Sequence, residues 1–198
     1  MDLTPIGGLS AAGAPTLRRA LALAAIVALS VALGGCLTSH RPLFPETSAV
    51  AALGDGGRYI AYRRVGAGYQ RDETVELRRR DQGYDYVNEK GAVTPLTLHP
   101  LGGALFAVQA KTDGGDYVYA RLRLRGRVGF IAIADCGGRD MRKLAALGVV
   151  AQANAFARLL GSGGGAPTRD CVLDGVRDAR KLFSALDFGA PTGKLAPQ

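Results

Sequence analysis

The sequence predicts an α+β fold, in which an antiparallel meander of about six or seven strands precedes two or three C-terminal helices. Between residues 57 and 135, short runs of alternating polar and apolar residues are separated by turns that contain glycine. After residue 136, apolar residues recur at the three- and four-residue intervals of one helix face. Strands joined by such short turns pair with their sequence neighbours, so we expect a single domain over residues 56–187.

Seven segments carry the strand pattern. Arg121 to Arg125 alternates arginine with leucine, so the leucines of this strand should face the core. Leu105 to Val108 and Phe130 to Ala134 are almost continuously apolar, as expected for strands covered on both faces. The predicted strands are residues 58–63, 74–78, 84–87, 93–98, 104–111, 117–124 and 128–134.

Two of the predicted helices follow the meander directly. Asp140 can cap a helix over residues 141–147, and Gly148 is placed to end it. The run 149–160 is ambiguous between an extended segment and a helix, and we interpret residues 151–160 as a helix. The glycine-rich residues 161–165 would then be a flexible connection.

The last helix is predicted to begin after Asp174, which can cap it, and to end near Leu186. Pro191 and Gly193 interrupt any helix beyond that point. Residues 188–198 are therefore expected to be a disordered tail.

The N-terminus has the order of an export signal. Arg18 and Arg19 precede an apolar run over residues 20–32, and small residues follow. The run is short for a membrane-spanning helix, which needs about 20 apolar residues. A buried helix would be apolar on every face, which is rare outside large cores. An export signal therefore explains this segment best, with an ordinary cleaved signal as an alternative to a lipid-modified one.

Leu33, Gly34, Gly35 and Cys36 end the apolar run, and this motif resembles the lipobox of bacterial lipoproteins. The resemblance implies that the chain is cut between Gly35 and Cys36, and that Cys36 is acylated on its sulfur and its new amino group. Residues 1–35 would then be the signal peptide. Residues 36–55, which carry little periodicity, would be a tether. Because Leu37 follows Cys36 in place of the aspartate that retains lipoproteins in the inner membrane of enteric bacteria, the resemblance implies an anchor in the outer membrane, facing the periplasm.

Two further cysteines, Cys136 and Cys171, remain for the folded domain. A disulfide between them is plausible in an oxidising compartment and would stabilise the domain by roughly 3 to 4 kcal/mol. Two buried free thiols are the alternative. The cysteines and the distant His40 and His99 lack the spacing of a metal site, so we expect no metal or other cofactor.

The chain is basic, with a net charge of +8 and twenty arginines against five lysines. A basic exported protein can approach anionic glycans or lipid headgroups, whereas nucleic acid is not expected in that compartment. Side chains two residues apart on a strand share one face, so neighbouring strands could form a tyrosine and arginine surface for an anionic ligand. Ordinary cross-strand stabilising pairs are the alternative. The candidate residues are Arg78, Arg80, Tyr84, Tyr86, Tyr117, Tyr119, Arg121 and Arg123.

No catalytic motif is evident in the sequence. Gly189 to Lys194 imitates a phosphate loop, but Leu195 occupies the position of the Ser or Thr that would hold magnesium. The sequence therefore favours a non-catalytic binding or assembly module of the cell envelope, held by its lipid, with an envelope glycan, lipid headgroup or protein as partner. The alternatives are an inhibitor of a cell-wall hydrolase, or an enzyme acting on an envelope polymer through an acid such as Asp116 or Asp135.

Overall fold

The computed structural model describes residues 37–134, 141–153 and 169–198. Eleven strands, two short α-helices and one 3₁₀ helix lie in these ranges. The strands are β1 (Leu37–Ser39), β2 (Gly56–Val65), β3 (Gly68–Arg80), β4 (Gly83–Val87), β5 (Val93–Gly102), β6 (Leu105–Lys111), β7 (Tyr117–Arg125), β8 (Val128–Ala132), β9 (Val150–Ala153), β10 (Arg169–Val172) and β11 (Gly193–Pro197). The helices are η1 (Glu46–Ser48), α1 (Met141–Ala146) and α2 (Ala179–Ala185).

Eight of these strands close into an antiparallel β-barrel, so the predicted α+β class is wrong. The strand order around the ring is β6-β5-β4-β3-β2-β11-β8-β7, and a β6–β7 pairing closes it. All seven predicted strand segments overlap strands of this barrel. Their short turns give the expected neighbour pairings, but the sheet curls until its two ends meet, which removes the open edges that a flat meander would expose.

The eighth strand of the barrel is β11, which lies within the segment expected to be a disordered tail. It inserts between β2 and β8, with Leu195 opposite Ala61 on one side and Gly129 on the other. Gly129 leaves room for the side chain of Leu122 in the interior, because a Cβ at Gly129 would lie 2.8 Å from it. Sequence pattern alone misses β11 because five residues with one proline carry a weak strand signal.

The barrel interior is filled by apolar side chains, as expected for a ring of eight strands. Its buried residues are Tyr59, Val75, Leu77, Tyr84, Leu98, Leu122 and Leu195. One polar pair lies among them, in which the hydroxyl of Tyr86 donates to Glu73 Oε1 at 2.8 Å. Burial, together with this hydrogen bond to a carboxylate, raises the pKa of Tyr86. The hydroxyl therefore stays protonated and serves as a donor.

A second core lies outside the barrel wall, between strands β5 to β8 and the remaining elements. Here β1 pairs with β7 in antiparallel fashion and with β10 in parallel fashion, and β10 pairs with β9. The buried side chains of this layer include Phe44, Tyr119, Leu173, Leu182 and Phe183. The outer face of one side of the barrel is therefore covered, which explains the apolar runs in β6 and β8.

In the ranges that the structure describes, helix content is lower than the sequence predicts. Helix α1 covers most of the predicted helix 141–147, but residues 151–153 of the second predicted helix belong to strand β9. The rest of that predicted helix, residues 154–160, lies outside the described residues. The last helix begins after Asp178, whose side chain accepts a hydrogen bond from the backbone N–H of Lys181, rather than after Asp174. Asp174 instead binds His40. Within the described ranges, no helix has the length and apolar character needed to cross a membrane.

The described part of the expected tether, residues 37–55, packs against the barrel. Strand β1 is integrated into the sheet, and the backbone N–H of Val50 donates to Leu98 O at 2.9 Å. Cys171, opposite Leu37 in register, is fully buried. Cys36 and Cys136 both lie outside the described residues, so the pairing of Cys171 with Cys136 stays a prediction.

Candidate anionic-ligand surface

The structure separates the arginines of β3 from the tyrosines of β4 that the sequence groups with them. Two residues connect these strands, so Arg79 lies opposite Tyr84, and Arg78 lies opposite Asp85. Tyr84 therefore points into the barrel with a fully buried side chain. Tyr86 packs against the same interior core. Arg78 and Arg80, on the outer face, have carboxylate partners in Glu76 at 2.8 Å and Asp85 at 3.2 Å.

The four candidates on β7 share the outer face, but three of them contact the second core. The hydroxyl of Tyr119 contacts Ser39 Oγ at 2.7 Å and accepts the backbone N–H of Leu43 at 3.1 Å. Tyr117 packs against the same core. The guanidinium of Arg121 lies 4.5 Å from the ring centroid of Phe188, and burial lowers the pKa of this arginine. Among these four residues, Arg123 alone is exposed.

Arg123 borders a different group of side chains, which is centred on Lys194 of β11. The register partners of Lys194 are Tyr62 of β2 on one side and Phe130 of β8 on the other. The Nζ of Lys194 lies 4.1 Å from the ring centroid of Tyr62 and 5.5 Å from that of Tyr69. The side chains of Lys194, Tyr62, Tyr69 and Phe130 are all half-buried. Leu195 points into the barrel, so its neighbour Lys194 and the residues beside Lys194 point to the outer face.

The group continues onto β7. The rings of Tyr69 and Phe130 meet edge to face, with centroids 6.4 Å apart. The guanidinium of Arg125 lies 5.5 Å from the Phe130 centroid, and Arg123 is the register partner of Phe130. Three aromatic rings and three cations therefore adjoin on the outer surface of the barrel. We name this group the cation–aromatic cluster; its members are Tyr62, Tyr69, Arg123, Arg125, Phe130 and Lys194.

The cations of the cluster have no acid beside them, unlike Arg63, Arg78 and Arg80 of β2 and β3. In the part of the chain that the structure describes, no carboxylate oxygen lies within 4.0 Å of Lys194, Arg123 or Arg125. By contrast, Arg63 has Asp72 at 3.8 Å. Unneutralised cations beside apolar ring faces create a positive potential that attracts an anion.

Asp116, one of the two acids considered for catalysis, does not line the cavity at the mouth of the barrel. Asp116 Oδ1 lies 4.0 Å from Nε2 of His40, at the surface, and both side chains are more than half exposed. The cavity of the barrel lies elsewhere, beside the β7–β8 turn at Gly126 and Arg127. Asp135 lies outside the described residues. The described ranges contain no group of three or more His, Cys, Asp or Glu residues that could hold a metal ion.

Sequence reasoning missed most of the cluster because its members come from five separate strands. The local signals were present, since Tyr62 and Phe130 each lie within a predicted strand. Their adjacency depends on the insertion of β11 between β2 and β8, which no short turn dictates. Lys194, the centre of the group, fell in the expected tail.

The fold and the surface define a small closed antiparallel β-barrel with a cation–aromatic cluster on its outer face. Comparison of the chain with protein-family models, with curated proteins and with solved structures gives no match. The functional conclusion therefore rests on the motif at the N-terminus and on the geometry of the barrel.

Proposed function

We propose that this protein is a lipid-anchored, non-catalytic module of the cell envelope that binds an anionic envelope glycan through the cation–aromatic cluster. The observation that carries the proposal is the position of Lys194 between Tyr62 and Phe130 in register, with no carboxylate near it among the described residues. Sugar rings stack their C–H faces on aromatic side chains, and their carboxylate or phosphate groups pair with cations. The cluster offers both kinds of contact side by side.

The form of the site favours a polymer over a small substrate. The cluster extends across strands β3, β2, β11, β8 and β7 on an open surface, so a ligand can contact it without entering a cavity. The ring centroids of Tyr69 and Phe130 lie 6.4 Å apart and Arg125 lies 5.5 Å from that of Phe130, so the cluster can contact more than one sugar unit. A bare lipid headgroup would occupy only part of this surface.

The N-terminal motif supports the placement in the envelope. A cleaved and acylated Cys36 would precede β1 directly, so the barrel would lie close to the bilayer surface. The expected location is the outer membrane, with the barrel in the periplasm. Anchoring there would keep the cluster at a high local concentration of envelope polymers, which compensates for a modest intrinsic affinity.

Binding is tested with the full chain purified in detergent, using a hyaluronan fragment as the acidic probe and dextran of similar length as the neutral one. We expect the acidic probe alone to bind. Lys194→Gln with Arg123→Gln should weaken binding at least about tenfold, since each lost charge-assisted contact is worth about 1.5 kcal/mol or more. Arg78→Gln with Arg80→Gln removes the same charge from acid-paired arginines and serves as the matched control, with an effect below about threefold.

Three results of the binding experiment would contradict the proposed glycan surface. Equal losses in the two double variants would show that net charge alone attracts the polymer and would overturn the role of the cluster. Binding of glycerol phosphate in preference to the glycan would assign the surface to a lipid headgroup instead. Absence of binding to any anionic probe would refute the proposed function.

The anchor is tested by the intact mass of the membrane-extracted protein, with and without reduction and thiol alkylation. A triacylated chain that begins at Cys36 and gains two alkyl groups only after reduction supports both the anchor and a Cys136–Cys171 disulfide. A Cys36–Cys171 bond would instead leave no free sulfur on Cys36 for acylation. An unacylated mass with that pairing would refute the lipoprotein proposal.

A further inference from the structure

A cavity of about 360 Å³ opens at one end of the barrel, and the proposed glycan surface does not use it. Residues 52–56 form one wall, and Gly126 with Arg127, in the β7–β8 turn, forms the other. The ring of Tyr59 lines it from the barrel interior. The mouths of β-barrels are frequent ligand sites, and ligand cavities typically measure about 300 to 1,000 Å³. This cavity therefore suits a small molecule.

One wall of the cavity is held in place from inside the barrel. The hydroxyl of Tyr84 accepts the backbone N–H of Leu53 at 3.0 Å and donates to Gly54 O at 2.9 Å. Gly56 has a φ of 87°, and a Cβ there would lie 2.0 Å from the carbonyl oxygen of Leu77. A wall fixed by these contacts is pre-organised, so little conformational entropy is lost when a ligand binds.

Two opposite charges line this cavity without neutralising each other. Asp55 and Arg127 both border it, and both are exposed. Across the described part of the chain, neither has an oppositely charged atom within 4.0 Å. Ala52 and Leu53 add apolar surface beside them. The lining thus offers a cation, an anion and an apolar contact within a volume of small-molecule size.

We infer that the barrel mouth is a binding site for a small zwitterion, for which a dipeptide with both termini free is the probe. Its carboxylate would pair with the guanidinium of Arg127, and its ammonium group with the carboxylate of Asp55. A small side chain would lie against Ala52 and Leu53. This inference is independent of the proposed glycan surface, because the two sites share no residue.

The test is isothermal titration of the full chain in detergent with alanylalanine, and with its N-acetylated and C-amidated forms. We expect the free dipeptide to bind, and each capped form to bind at least about tenfold more weakly, since each cap removes one charge-assisted contact. Arg127→Gln should lose the discrimination against the amide, and Asp55→Asn the discrimination against the acetylated form. Arg64→Gln and Asp81→Asn, which alter exposed charges outside the cavity lining and outside the cation–aromatic cluster, are the matched controls.

The affinities of the free and the capped dipeptides test the roles of Arg127 and Asp55. Binding of the capped and free dipeptides with equal affinity, or equal losses in the control variants, would overturn the assignment of the two charges. No heat of binding at millimolar dipeptide, with the glycan still bound by the same sample, would refute the zwitterion site and leave the proposed function standing.

Discussion

The carboxylate of Asp174 binds His40 through both of its oxygens. Oδ1 accepts the backbone N–H of His40 at 2.8 Å, and Oδ2 lies 2.5 Å from Nδ1 of the ring. On the other side of the ring, Oδ1 of Asp116 lies 4.0 Å from Nε2. The imidazole therefore links the end of β1 to the segment after β10 and to the β6–β7 loop.

The contacts of His40 predict a contribution to stability that is lost at high pH. The hydrogen bond to Asp174, followed by attraction to Asp174 and Asp116, raises the pKa of His40. A raised folded-state pKa adds stability that is fully present below the unfolded value, near 6.5, and disappears as the pH rises through the folded value. The difference in free energy of unfolding between the wild type and His40→Gln should therefore be larger at about pH 5.5 than at about pH 9, with the wild type the more stable protein.

Urea denaturation of both proteins over this pH range measures the difference, and the ring proton signals of His40 report its pKa directly. Asp116→Asn should lower the pKa of His40 only slightly, because the carboxylate of Asp116 lies farther from the ring than that of Asp174. A His40 titration midpoint at or below 6.5 would contradict the prediction.

His99 predicts the opposite pH dependence. Its ring is buried, stacks on Phe44 at 4.8 Å, and contacts Ser48 Oγ and Thr97 Oγ1 at 2.8 Å each. Burial lowers the pKa of His99 to about 4. Between about pH 6.5 and pH 4, His99 is protonated in the unfolded chain but stays neutral in the folded chain. The wild type should therefore lose about 3 kcal/mol of stability by pH 4 from this group.

The variant His99→Gln removes this titration while keeping a polar side chain. It should be less stable than the wild type at pH 7, because the stacking on Phe44 is lost, but its own stability should fall less between pH 6.5 and pH 4. Denaturant titrations at these two pH values measure how steeply the free energy of unfolding of each protein falls with pH. Parallel slopes for the two proteins would exclude His99 as the source of the acid sensitivity.

Gly83 at the β3–β4 turn is predicted to tolerate no side chain. Its φ is 110°, and a Cβ would lie 2.2 Å from the carbonyl oxygen of Leu96. Gly103, in the β5–β6 turn, also has a positive φ, of 54°, but a Cβ there meets nothing within 4 Å. Gly103→Ala should therefore cost only about 1 to 2 kcal/mol of backbone strain. Gly83→Ala should cost clearly more or prevent folding, and equal urea midpoints for the two variants would contradict this account.

Leu195 and Lys194 are neighbours on β11 with opposite predicted roles. Leu195 points into the barrel and is 8% exposed, so Leu195→Ala should lower the free energy of unfolding by about 2 to 4 kcal/mol. Lys194→Ala removes an outward side chain, and its loss of stability should stay within about 1 kcal/mol. Thermal denaturation compares them. A large loss of stability in Lys194→Ala would show that the cation–aromatic cluster serves cross-strand stabilisation of the barrel.

The strands of the barrel could be predicted wherever the signal is local. Alternation and glycine turns identify β2 to β8, since the side-chain period and the turn chemistry act over a few residues. Register was harder to infer. The two-residue turn after Arg80 places Tyr84 opposite Arg79, so Tyr84 points to the interior while Arg78 and Arg80 point outward.

By itself, the sequence determined the approximate positions of seven strands and the basic character of the chain, and it predicts an export signal at the N-terminus. Only the tertiary structure decided that the sheet closes, that β11 completes the ring, and that Lys194 lies between Tyr62 and Phe130. The physical reason is the separation along the chain of the residues that interact. Period and turn type depend on adjacent residues, whereas the pairing of β11 with β2 depends on burying Leu195 in an interior formed by residues 73 to 136 positions away.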